Sequence, residues 1–183
     1  MFRRPGMRFA GAQALGPIEM AQLQNANRLM TASQPQNAAP IYLRLARELQ
    51  STQHPRKAAG MHAMASHAFA DAKDETQALQ QAQVALRFFL RLQMIQRAAQ
   101  FYGNILNKFN KNGMSSSATA LENEFSNAIA KIPAFPAGGP QQQPLHLPTS
   151  CPKCGAPLRS DEVEWVDATT ASCSFCGSIV AKE

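Results

Sequence analysis

The residues best equipped for chemistry in this chain of 183 amino acids are four cysteines, all of them after residue 150. They stand as Cys151-Pro-Lys-Cys154-Gly155 and Cys173-Ser-Phe-Cys176-Gly177, with 18 residues between Cys154 and Cys173. Two residues between cysteines let both thiolates of a tight turn converge on one ion, and thiolate is the donor that zinc and iron–sulfur sites prefer. The glycine after each second cysteine permits the positive φ such a turn requires. A disulfide scaffold would distribute its cysteines along the chain rather than pair them locally. The spacing therefore predicts one structural zinc ion on Cys151, Cys154, Cys173 and Cys176, in a reducing, cytoplasmic setting.

Four thiolates close the coordination sphere, so such an ion polarises no substrate. A catalytic metal would need an open position, and His146, the nearby substitute ligand, reads as a linker residue. Between the two turns, Val163, Trp165 and Val166 predict a strand, with Glu162 and Glu164 on its opposite face. Asp167–Thr170 predicts a turn and Ser178–Val180 a closing strand. From about residue 150 to 180 this segment resembles a zinc ribbon, with both knuckles, Pro152 and both glycines in place. The resemblance implies a small β module folded around its metal. Rubredoxins are similar, with one iron on two such turns, but they wrap it in several aromatics, and here only Phe175 and Trp165 are near. Zinc is the expected metal.

Elements must carry this module, and the sequence divides for it. The expected organisation is a basic tail over 1–16, a helical domain over 17–132, a Pro/Gln-rich linker over 133–150 and the metal module over 151–183. The linker has five prolines at intervals of three or four. It predicts a semi-rigid spacer reaching up to about 55 Å, with a proline-rich partner ligand as the alternative. The tail holds Arg3, Arg4 and Arg8 and no acid. It lacks the continuous apolar run of a secretion signal, and Pro5, Gly6 and Gly11 oppose the amphipathic helix of a transit peptide. No run approaches the length of a membrane span.

Before the linker, apolar residues recur at helical spacing. Helices are predicted from Ile18 to Met30, through Ile41–Leu49, from Pro55 to Ala72, from Asp74-Glu75-Thr76 onward, up to Phe109, and from Ser115 to before Pro133. A turn near Gln93 divides the fourth from the fifth. Ala38, Ala78 and Ala118 repeat at 40 residues, early in the second helix of each pair. Small residues recur seven positions on, as Ala39 to Ala46 and Ala78 to Ala85. A period of this length suggests stacked helical hairpins. The segment Arg56–Phe89 resembles a tetratricopeptide repeat, although its spacing is longer and the Trp and Leu-Gly signature is missing. The fold class expected is mainly α, antiparallel hairpins in a solenoid or a six-helix bundle, with a small C-terminal β zinc ribbon.

The helical part shows no Gly-rich phosphate loop and no Ser/His/Asp series. His62 and His67 are five apart and read as packing or surface residues, and Glu122 and Glu124 as a solvated face. Arg87, Arg91, Arg97, Lys108 and Lys111 could line a basic surface, though scattered helix charges usually serve solvation. Phe88, Phe89, Phe101, Tyr102 and Phe109 read as core. No catalytic residue and no enzyme activity are expected. Three functions compete: a zinc-binding adaptor for protein partners, a nucleic-acid-associated ribbon protein, and a RING-like component of a protein-modification system. Residues 151–183 carry three Lys/Arg against five Asp/Glu. Asp161, Glu162, Glu164 and Asp167 would repel phosphates, which weighs against nucleic acid on the ribbon. RING domains use eight ligands, and four are present. The adaptor, with its ribbon on a flexible arm, is the favoured expectation.

Overall fold

The computed structural model describes residues 15–130, 147–158, 163–165, 170–173 and 175–181. Six α-helices come first: α1 (Pro17–Thr31), α2 (Pro35–Ser51), α3 (Pro55–Asp71), α4 (Glu75–Arg91), α5 (Ile95–Lys111) and α6 (Ser115–Ala130). Three short strands follow, β1 (Glu164–Trp165), β2 (Thr170–Ser172) and β3 (Ile179–Ala181). No described helix is long and apolar enough to cross a membrane.

One local device makes every helical turn-around. The residue just past each helix end adopts positive φ: Ser33 (56°), Gln53 (61°), Lys73 (64°), Gln93 (55°) and Gly113 (76°). The next N–H then reaches back five residues to a carbonyl in the last turn, from Gln34 to Leu29, His54 to Leu49, Asp74 to Phe69, Met94 to Phe89 and Met114 to Phe109. This is the Schellman arrangement, which satisfies the orphan carbonyls of a helix end and reverses the chain. Pro35 and Pro55 open the following helices, where a fixed φ helps and a missing N–H costs nothing. Asp74 opens α4 by accepting the Gln77 N–H at 3.1 Å.

The unit of repetition is therefore 20 residues, half the period expected from alternate helices. Ala38, Ala58, Ala78, Ala98 and Ala118 are all buried at the same place, one turn into each of α2 to α6, where a larger side chain would push neighbouring helices apart. Adjacent helices pack as hairpins, and α3 also reaches α5 while α4 reaches α6, the next-but-one contacts of hairpins stacked side by side. The buried stripe of α2 is Ala38, Ala39, Tyr42, Leu45, Ala46 and Leu49. Of the expected stripe, Leu45, Ala46 and Leu49 belong to it, while Ile41 and Leu43 lie to one side, only partly buried. Helix α2 also begins earlier than expected and tolerates Pro40 inside its second turn.

The core falls into two clusters. One joins α4, α5 and α6 with part of α3, around Phe89, Phe101, Ile105, Phe109 and Leu121. The other joins α1, α2 and α3 to the C-terminal module, whose cysteines, Ala156, Leu158 and Val180 pack with Leu23, Tyr42, Leu45 and Met61. The module is thus seated on the first three helices instead of standing off on an arm, which corrects the tethered-ribbon expectation. An uncovered end of a helical stack exposes apolar surface, and here a metal-binding segment from the far end of the chain covers it.

The strands form one antiparallel sheet in the order β1-β2-β3, with Trp165 opposite Ala171 and Ala171 opposite Val180. Thr170 opens β2, where a turn was expected to close. Residues 1–14 of the tail, 133–146 of the linker, His146, Asp161, Glu162, Val166 and Asp167 lie outside the described residues.

Candidate metal centre

Each cysteine pair is held by the same two backbone bonds. In the first knuckle, the Gly155 N–H donates to Cys151 O (2.8 Å) and the Cys151 N–H to Ala156 O (2.7 Å). In the second, Gly177 donates to Cys173 O (2.8 Å) and Cys173 to Ser178 O (2.8 Å). Both bends require left-handed backbone, supplied by Gly155 at φ 73° and Gly177 at 76°. A bridge between Ser150 and Pro157 closes the base of the first turn.

The turns face each other and bring all four Sγ atoms within 4.8 Å of one another. Cys151 and Cys176 are 3.7 Å apart, and Cys154 and Cys173 are 3.9 Å apart. A metal–sulfur bond of about 2.3 Å places tetrahedral sulfurs about 3.8 Å from one another, so the cluster has the dimensions of a four-thiolate site. The four thiols are free of disulfides and at most 1% exposed. Backbone amides point at the sulfurs: Ala156 N–H at Cys154, those of Phe175 and Cys176 at Cys173, and that of Ser178 at Cys176. The residues present fit one metal ion with no position open to substrate.

The thiols bear on each other. Hydrogen bonds from Cys154 and Cys173, then from Ser178, hold Cys176 far below the ordinary thiol range. Cys154 is pushed well above it, chiefly by Cys173 and then Cys176. Metal binding needs thiolate ligands, so a dication held among the four sulfurs would favour their ionised form.

The helices hold the knuckles from outside. Buried Asn27 on α1 donates from Nδ2 to Cys154 O at 2.7 Å, and Tyr42 on α2 donates its hydroxyl to Asn27 Oδ1 at 2.6 Å. Burial first, then the charge at Cys154, raises the Tyr42 phenol and keeps it a donor. Gln24 donates to Lys153 O, and the Leu15 N–H donates to Cys176 O at 3.3 Å. Leu15, assigned to the tail by sequence, is buried against the module. Lys57 on α3 places its Nζ out of solvent, without a hydrogen-bond partner among the described residues. Burial draws that amine down, and the charge at Cys176 partly restores it.

Sequence reasoning found the four sulfurs and missed these supports. Asn27 carried a signal, being polar and one turn from Leu23 on the buried face of α1. Tyr42 and Lys57 gave none, because Tyr42 serves the site only through Asn27 and the Cys176 charge that bears on Lys57 lies 119 positions along the chain.

The other singled-out residues serve the stack. His62 lies between Gln50 (2.9 Å) and Gln81 (2.8 Å), stacked on Phe88. His67 meets the Phe101 ring edge-on at 5.4 Å, and its Nδ1 is buried without a hydrogen bond. Burial first, then Lys108, lowers His67 to about 4. Two of the candidate basic-surface residues are spent on acids of next-but-one helices, Arg87 on Glu124 (2.6 Å) and Lys108 on Asp71 (2.7 Å). An open cleft between α4 and α6, lined by Leu79, Gln80 and Gln83, has Glu75 at its edge. That carboxylate accepts the Ser117 N–H and hydroxyl and the Ser116 hydroxyl, which lowers its pKa and fastens the start of α6.

No protein-family model, curated protein or solved structure matches this chain. Its function rests on the geometry alone.

Proposed function

We propose that this protein is a non-catalytic, zinc-dependent adaptor: a stack of helical hairpins, closed at one end by a single structural zinc on Cys151, Cys154, Cys173 and Cys176, that presents its helical surface to a protein partner. The observation that carries this reading is the closed, tetrahedron-sized cluster of four buried thiols packed into the core of α1–α3. A metal so placed supports folding and does not meet substrate. The polar groups elsewhere point the same way, since His62, Glu75, Arg87 and Lys108 are engaged in joining helices. Zinc is preferred to iron because a site whose role is to hold the fold together suits an ion without redox chemistry.

Elemental analysis of the full chain, purified without chelator, is expected to give one zinc and no iron. The Cys151→Ser/Cys176→Ser variant should retain none. A coloured iron protein would overturn the zinc assignment. Retention of a mixed-sequence DNA or RNA probe, weakening steeply between about 50 and 200 mM salt, would replace the adaptor with a nucleic-acid binder.

A further inference from the structure

A divalent ion held by four thiolates carries a net charge of −2, and such a charge buried in a core needs compensation. The knuckle amides supply part of it through N–H···S contacts. The cluster in which the cysteines are packed is otherwise built from Leu, Ala, Met, Tyr and Val side chains. Into this end of the fold α3 delivers one cation. Lys57 sits in its first turn, beside Ala58 of that cluster, and its Nζ is buried with no hydrogen bond among the described residues.

A lysine usually bends its ammonium out to water, and stranding it in a core is unfavourable unless a negative charge lies nearby. Lys57 departs from that habit, its Nζ out of solvent with no hydrogen bond among the described residues, and the charge at Cys176 favours its ammonium form. By contrast, Lys108 has found a carboxylate, Asp71, at 2.7 Å.

We propose that Lys57 is a positioning residue of the metal centre: its buried ammonium supplies the counter-charge to the four-thiolate ion, making the site a joint product of the C-terminal knuckles and α3. This rests on the proposed four-cysteine zinc site and extends it across the fold. It also gives a reason for the module to dock on these helices, because α3 brings a buried cation to that end of the fold.

The test uses the full chain loaded with zinc, with affinity measured by competition against a calibrated chelator. Lys57→Met keeps the apolar stem and removes the charge, and is expected to weaken zinc binding by about ten-fold or more, the usual range for loss of an outer-layer partner. Lys57→Arg keeps the charge and should stay within a few-fold of the wild type. Helix content by circular dichroism should be alike in all three, and if Lys57→Met does not fold, Lys57→Gln replaces it. Equal affinity in the neutral and wild-type chains, or a loss that Arg does not rescue, overturns the role of Lys57 while leaving the zinc site standing. A wild-type chain that takes up no zinc overturns the site itself and Lys57 with it.

Discussion

At the scale of single residues, the buried polar groups divide by whether they have found a partner. Asn27 uses both ends of its amide, accepting from Tyr42 and donating to Cys154 O, so a polar side chain in the core becomes a fastening. His67 has no such partner at Nδ1 and stays neutral in the fold. Its folded pKa of about 4 lies below the ordinary 6.5, so protonation favours the unfolded chain. The stability this neutral ring contributes is complete above pH 6.5 and is lost as pH falls toward 4, a change of about 2–3 kcal/mol. A His67→Leu variant should lose less stability than the wild type between pH 7 and pH 5, measured by urea unfolding. Subtracting the two curves removes the acid release of metal, which both chains share. Parallel curves would show that His67 titrates normally in the fold.

At the scale of elements, the five turns test how much local backbone chemistry the stack depends on. Each needs one residue in the left-handed region, and only Gly113 is a glycine. Side chains at such positions are unfavourable by about 1 kcal/mol, and Gln93 is exposed. Gln93→Gly is therefore expected to stabilise the protein by about 0.5–1 kcal/mol and Gly113→Ala to destabilise it by about 1 kcal/mol, read from denaturant midpoints at unchanged slope. The same turns explain what the sequence made legible. Apolar spacing and the Asn110–Gly113 stop reveal the helices, and the absence of any break from Thr76 to Tyr102 makes a turn near Gln93 necessary on length alone. The 20-residue repeat was half hidden, because four of its five left-handed positions are occupied by Ser, Gln or Lys, which announce no turn. Tyr42 was passed over for Ile41 and Leu43, since hydropathy ranks a tyrosine low even where its ring is the buried face.

At the scale of the whole molecule, the four-cysteine cluster was legible in its residues and hidden in its placement. Cys-x-x-Cys-Gly states its chemistry within five residues, whereas the Asn27–Cys154 bond joins positions 127 apart, a distance over which composition and periodicity carry no information. A proline-rich segment reads as a spacer whether the module beyond it floats or folds back. Docking has an energetic consequence, because among the described residues α3 is the helix that the two core clusters share. In a stack of nearest-neighbour contacts, losing one end cap loosens the adjacent hairpin first. Stripping the metal with a strong chelator should therefore act unevenly. Amides of α1 and α2 are expected to lose at least a hundred-fold in hydrogen-exchange protection, about 3 kcal/mol, while those of α5 and α6 change by less than ten-fold. Cys151→Ser/Cys176→Ser should reproduce that pattern without chelator. A uniform loss across all six helices would show instead that the stack and its clasp unfold as one cooperative unit. Unchanged protection in α1 and α2 would show that the knuckles rest on the helices without holding them.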